Sequence, residues 1–225
     1  MVVVEFLTHS ELQADAANLA VYDRNSLVPW RVLQVGPGDF CRVAFVPTAR
    51  QTNYYIYYGG DEPKQTDPPT WPQTAGLQLE TRQWNKCDLN SPDSVREACE
   101  AAQRIGNDFV SNVFHRADPF AAAPGPFLSR YRGTLQIDKA GTHKFFTSSQ
   151  DASFLLIDGK QVVAAPGHHG PVQQARISGE LNLCTGLHEF EYLPAAAGDD
   201  TCMVAAWQPP GAEKPVVIPP EAFGS

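Results

Sequence analysis

The chain has 225 residues, a formal net charge of −8 and 43% hydrophobic residues. That length suits two modest domains, and the apolar share is that of an ordinary folded protein, which argues against disorder. The acidic balance argues against a nucleic-acid or anionic-membrane partner, and no apolar run reaches the roughly 20 residues of a membrane-spanning helix.

The opening Met1-Val2-Val3-Val4-Glu5 has neither the basic start nor the apolar length of a secretory leader. It begins inside a strand-like run, so the expectation is a segment or mature form of a longer chain or assembly. Residues 1–84 read as short strands: Val2–Leu7, Leu19–Tyr22, Arg31–Val35, Cys41–Val46, Asn53–Tyr58 and Leu77–Trp84. Arg31-Val32-Leu33-Gln34-Val35 and Leu77-Gln78-Leu79-Glu80 alternate with period two, as half-buried strands do. Gly36-Pro37-Gly38-Asp39 is a tight turn, and the four prolines of Asp61–Pro72 mark an irregular connector. Ser91-Pro92-Asp93 supplies an N-cap, a first-turn proline and a first-turn acid. Val95, Cys99, Ala102 and Ile105 then recur at helical spacing up to Gly106, which predicts one helix near 92–105.

From Phe109 the pattern is β again, with Ala121–Pro126 as a turn-rich lead-in. The predicted strands are Tyr131–Ile137, His143–Thr147, Ser153–Ile157, Gln161–Ala164, Ala175–Leu183, Leu187–Leu193 and Thr201–Trp207, the last two as a hairpin turning near Ala197. Turn signals at intervals of about 8–12 residues mean a sandwich or barrel. The predicted fold class is therefore mainly β: two β-sandwich-like domains joined by one short α-helix. The expected division is an N-terminal domain over 1–84, a linker with the helix over 85–108 and a C-terminal domain over 109–225.

Cysteines stand at 41, 87, 99, 184 and 202, an odd count that leaves at least one free thiol. Cys87 and Cys99 are close enough in sequence for a bridge. In the predicted hairpin Cys184 and Cys202 lie at opposite ends of the ladder, too far apart for one. Mostly buried free cysteines are expected. With no Cys-x-x-Cys pair, a structural zinc site has no support.

The segment Phe145–Gly159 reads as strand, polar loop, strand and turn, with Asp151 and Asp158 at opposite ends of one short buried strand. Asp158-Gly159 is hairpin chemistry. Ala140-Gly141-Thr142-His143-Lys144-Phe145 precedes it; Leu181-Asn182-Leu183-Cys184-Thr185-Gly186-Leu187-His188, Glu189-Phe190-Glu191-Tyr192, Trp207, Val217-Ile218-Pro219 and Phe223 follow. In that order over residues 109–223 these resemble the PA14 domain, the module first described in anthrax protective antigen and carried by many sugar-binding surface proteins and glycosidases. In the N-terminal half, Asn53–Gly60 is similar to the closing strand of a bacterial β-sandwich domain of unknown function.

The resemblance implies a secreted or surface-attached bacterial module that binds carbohydrate. Sugar-binding members hold Ca²⁺ with two consecutive aspartates in a first loop and further oxygens from a second, and the ion chelates sugar hydroxyls. Here Gln150-Asp151 stands in place of the aspartate pair, while the second loop carries Asp199-Asp200. The implied Ca²⁺ site therefore has reduced affinity, with Asp151, Asp199 and Asp200 as metal ligands. The implied sugar contacts are Gln150, Asp151, His168, His169 and Asp199, on a rim formed by Ser148–Ser153, Ala165–Pro171 and Pro194–Asp200.

Each of these residues also has a plain reading. Asp151 can cap its loop and Asp158 its turn; Asp199 and Asp200 can be solvated loop residues; the two histidines can pack. Trp207 is expected in the sandwich core. There is no Gly-x-Ser-x-Gly elbow and no His-Glu-x-x-His motif, so the expectation is a non-catalytic module with a glycan or surface ligand as partner. The alternatives are a structural or assembly module without a small-molecule site and an accessory segment of a glycoside hydrolase.

Overall fold

Runs of β-forming residues become strands in the computed structural model, which describes residues 2–13, 16–24, 26–35, 38–60, 76–119, 125–171, 176–198 and 201–224. The chain divides into two units, residues 1–73 with 103–108 and residues 74–102 with 109–225.

The first unit holds β1 (Val2–Leu7), β2 (Ala20–Tyr22), β3 (Trp30–Val35), β4 (Phe40–Phe45) and β5 (Tyr55–Tyr57). One antiparallel sheet has the order β1-β4-β3; β2 and β5 make a second. Leu19, Val21, Val32, Cys41, Val43 and Phe45 form its core. Cys41 and Val43 alternate along β4 because a strand sends every second side chain to the same face. Asp39 fixes the turn after β1. It accepts the N–H groups of Thr8 at 3.0 Å, His9 at 2.8 Å and Ser10 at 2.9 Å, and the Thr8 hydroxyl. Foremost among these, the Thr8 hydroxyl bond, together with the backbone donors, holds the Asp39 carboxyl below the usual carboxylate range.

The second unit begins with β6 (Leu77–Gln83) and α1 (Pro92–Ala101). β7 (Arg104–Val110) starts in the first unit and ends in the second. Next come β8 (Phe114–His115), β9 (Phe127–Ile137), β10 (Gly141–Ser149), β11 (Ser153–Ile157), β12 (Lys160–Ala165) and β13 (Ile177–Leu183). β14 (Gly186–Ala196), β15 (Met203–Gln208), β16 (Val216–Val217) and β17 (Phe223–Gly224) complete it. One sheet runs β13-β10-β15-β16, with β8 on β15. The other runs β12-β11-β14-β9-β6, with β17 also on β9. Tyr131, Tyr192, Phe145, Phe190, Leu135 and Ile137 are all 2% exposed or less. Burying an aromatic or large aliphatic side chain contributes about 1.5–3 kcal/mol, so these residues dominate the sandwich. Trp207 is buried as expected, its ring 5.7 Å from that of His143.

β11 is buried at every position, unlike the alternating β13 and β15. Its second face is covered too: Phe154 and Leu156 pack in one cluster with Val95, Ala98 and Cys99 of α1. A strand covered on both sides reads as a continuous apolar run, which Ser-Phe-Leu-Leu-Ile is. The helix starts as its sequence requires, with the Ser91 hydroxyl accepting the Ser94 N–H at 3.3 Å and Pro92 in the first turn. It ends at Ala101, short of the expected Ile105, because Arg104–Val110 is extended. Glu191 accepts from Arg96 at 2.9 Å and from Arg130 at 2.6 Å, tying α1 to β9 and β14.

Three expectations differ from the structure. β6 pairs with β9 over Gln78–Gln83, and α1 contacts β9 and β14, so both belong to the second unit rather than to an N-terminal domain and a linker. Alternation marks Leu77–Trp84 as a strand but carries no information about which sheet receives it. β14 and β15 are not a hairpin; they lie in opposite sheets. Finally, all five cysteines are free, but only Cys41 and Cys99 are buried, and Cys184 is exposed. The Asp61–Pro72 connector, Trp71, Ala121–Pro124, the Gly36-Pro37 turn and the start of Ala175–Leu183 lie outside the described residues, as do Asp199 and Asp200.

Candidate functional site

The crossing from β14 to β15 brings its loop against the β10–β11 loop. Gln150 N–H donates to the Cys202 carbonyl at 3.0 Å, and Ala195 N–H donates to the Ala152 carbonyl at 2.9 Å. The segment after β12 joins them where Asp151 N–H donates to the His169 carbonyl at 2.8 Å. The three loops predicted to form one rim are thus hydrogen-bonded to one another. A fourth element, the turn before α1, closes the row: Gly167 N–H donates to the Leu89 carbonyl at 3.0 Å. The sequence reading missed this turn, although Asp88-Leu89-Asn90-Ser91 is plain turn chemistry at the helix start.

Asp151 is the hub. Its backbone lies at φ +57°, a conformation in which aspartate is several-fold enriched among non-glycine residues, and it is only 6% exposed. One carboxylate oxygen accepts the Ala197 N–H at 2.8 Å, and the other lies 3.1 Å from His168 Nδ1. His168 is otherwise exposed on the rim. His169 turns inward, with Nε2 3.3 Å from the Ala165 carbonyl and Nδ1 3.0 Å from the Gly170 carbonyl. The Gln150 side-chain oxygen lies beside Gly170. Gln150, Asp151, His168 and His169 are therefore brought together.

Ca²⁺ takes 6–8 oxygen ligands, with carboxylates supplying most of the affinity. The described rim offers one carboxylate, with one oxygen committed to a backbone N–H and the other facing an imidazole. No three His, Cys, Asp or Glu side chains converge as a metal site among the described residues. The described rim residues do not fit Ca²⁺.

Asp158 lies at the opposite end of β11 and has its turn role. Asp158 and Gly159 have φ +51° and +71°, the two positive values of a type I′ hairpin. A groove of about 390 Å³ on the same sheet is lined by Arg130, Arg132, Thr134, Leu156, Glu189 and Glu191 among others. It contains none of the predicted site residues, and Arg130 and Glu191 are already paired within it.

A two-sheet module with its polar loops gathered at one end has the architecture expected of a PA14 sandwich, and comparison with solved structures agrees on the fold. The chain is similar to the PA14 domain of the MpAFP antifreeze protein, with a TM-score of 0.60, 15% identity, and coverage of 72% of this chain and 96% of that one. It is similar to the PA14 sugar-binding domain from an RTX adhesin, at 0.56 and 16%, covering 68% and 98%. It is also similar to the A domain of epithelial adhesin 6 from Candida glabrata, solved in complex with Galb1-3GlcNAc, at 0.54 and 14%, covering 69% and 89%. No family model matches the chain, and no curated protein matches it either. The chain has a PA14-type fold, as the resemblance implied. At such identities the likeness fixes the fold, and function has to come from the site.

Proposed function

We propose that the second unit is a non-catalytic carbohydrate-binding module of a secreted or cell-surface protein, and that it takes sugar at the rim organised by Asp151. The observation that carries this reading is the bonding of three loops through one buried aspartate, which holds Gln150 and His168 at the open end of the sandwich. Two of the similar structures support it by their own ligands: one is a sugar-binding domain and one was solved with a disaccharide. Amide and imidazole groups on a rim suit hydroxyl recognition with little apolar burial. A single site of that kind has an affinity between millimolar and micromolar, about 4–8 kcal/mol, and adhesion would then draw on multivalent display. Asp199, two residues after Ala197 in the sequence, is included in the proposed contact set. Any Ca²⁺ dependence would rest on Asp199 and Asp200 supplementing Asp151.

A glycan array run with and without Ca²⁺ tests the proposal. Specific signals support it, and their response to Ca²⁺ assigns or removes the metal. Silence in both conditions together with self-association in sedimentation would favour a structural or assembly module instead.

A further inference from the structure

At the end of the sandwich opposite the rim, side chains from two turns and from the start of β14 converge. His188 Nδ1 lies 2.6 Å from Asp158 Oδ2, and Nε2 lies 3.0 Å from the Cys184 carbonyl oxygen. A carboxylate and a carbonyl can only accept, so both ring nitrogens are placed to donate, the arrangement that suits an imidazolium. The Asp158 bond, as the largest cause, raises the His188 proton affinity above its ordinary value. A second bond fixes the carboxylate, since Asp158 Oδ1 accepts the Glu189 N–H at 2.8 Å. His188 is 7% exposed, so its ring is held on both edges and largely shielded from water. The Cys184 Sγ lies 3.8 Å from Nε2 of that cation, and Cys184 itself is exposed in the turn between β13 and β14.

This is a nucleophile, a cation and a carboxylate that orients the cation, the arrangement that makes a cysteine reactive. The remaining thiols differ. Burial raises Cys41 to about 11 and Cys99 to about 12, and burial also raises Cys87. Cys202 has the Ser148 carbonyl oxygen 3.7 Å from its sulfur, a neutral neighbour rather than a cation.

We propose that Cys184 is a nucleophilic thiol poised by the His188–Asp158 pair, and that it is a covalent modification site for small-molecule disulfides. The Cys184 sulfur, as thiolate, attacks one sulfur of the disulfide in line with the S–S bond. A new S–S bond forms to Cys184, the old one breaks, and the leaving thiolate departs with the electron pair and takes a proton from solvent. Cys184 is oxidised to the mixed disulfide, and one half of the small molecule is reduced to a free thiol. The site is independent of the sugar rim, at the other end of β11.

The test compares Cys184 with itself. The whole chain, native and urea-unfolded, is treated with bis(2-hydroxyethyl) disulfide at neutral pH, and adducts at each cysteine are timed by peptide mapping. Exposure alone cannot make a native thiol faster than the same thiol in the unfolded chain. The proposal expects Cys184 to react roughly tenfold faster in the native protein, the size of effect a close fixed cation produces. A native rate equal to or below the unfolded rate overturns it. In folded Asp158→Asn, where asparagine keeps the turn but loses the carboxylate, the Cys184 rate should drop toward the unfolded value while Cys202 is unaffected. An undiminished Cys184 rate in that variant also overturns it.

Discussion

Asp151 and Ala197 are joined across two loops by one hydrogen bond: a carboxylate oxygen of the first accepts the backbone N–H of the second at 2.8 Å. That bond connects the first-loop residue singled out in the sequence with the loop that crosses between the sheets. It also explains why so polar a side chain is buried. Its oxygens face an N–H and an imidazole rather than water.

Replacing Asp151 therefore has a structural cost. Asp151→Ala leaves the Ala197 N–H without its acceptor and puts alanine at φ +57°. A hydrogen bond to a charged group contributes about 1.5–3 kcal/mol, and the backbone strain adds to it. The expected loss is about 3–4 kcal/mol in urea denaturation, and Asp151→Asn, which keeps an acceptor and tolerates the backbone, should lose less than half of that.

Gly179 in β13 faces β12 at close range. A Cβ there would stand 1.8 Å from the Val162 carbonyl oxygen, which is backbone and cannot swing away. Gly179→Ala should destabilise the second unit by about 3 kcal/mol or more, since overpacking against a fixed backbone has no cheap relaxation. A melting temperature within a degree or two of wild type would show that the two strands can separate freely.

Much of this was legible in the sequence, and the rest was hidden for identifiable reasons. Strand positions such as Ser153–Ile157 followed from apolar runs and turn residues, and Asp158-Gly159 from turn chemistry. The order of motifs over 109–223 carried the fold. What local pattern could not reveal was partner choice. Leu187–Leu193 and Thr201–Trp207 look like a hairpin because they are adjacent strands with a glycine-containing loop, but they sit in opposite sheets. Leu77–Gln83 sits beside Phe127–Ile137, across a gap in sequence that no local periodicity spans. In the same way Gln150, Asp151 and His168 were found as loop residues, whereas Cys184 and His188 came together only once the β13–β14 turn was placed beside Asp158.

Glu191 anchors α1 to the sheet. Burial pushes its carboxyl up, but Arg96 and Arg130 outweigh burial and leave it below the usual carboxylate range. Glu191→Gln removes the anion that Arg96 and Arg130 share and leaves each only its more exposed partner, Asp93 for Arg96 and Glu100 for Arg130, which should cost about 1–2 kcal/mol in chemical denaturation. The wild-type advantage over this variant should be complete above pH 4.5, the ordinary value for the group, and disappear as pH falls through its lowered value.

The His188–Asp158 pair predicts stability with two limits. His188 is raised by its Asp158 bond, so its contribution is full below its ordinary 6.5 and is lost as pH rises through the raised value. Asp158 is pushed up by burial but brought below 3.8 overall by the His188 bond and the Glu189 N–H, so its contribution is present above 3.8 and lost as pH falls through the lowered value. The stability difference between wild type and His188→Gln should be largest between those limits and shrink on both sides. A difference that stays flat from about pH 2 to pH 9 would mean the pair does not titrate as a unit.

The central claim is that sugar binds at the Asp151-organised rim, and titration calorimetry tests it most directly. The strongest array glycan is titrated into wild type, into Gln150→Ala/His168→Ala and into Lys160→Ala, which lies at the other end of the sandwich. His168 is 73% exposed through its side chain, so the double variant should keep its melting temperature within a few degrees. The account predicts that its affinity falls at least about tenfold, or roughly 1.4 kcal/mol, while Lys160→Ala binds as wild type does. Unchanged affinity in the folded double variant, or a loss that follows Lys160 instead, would contradict it.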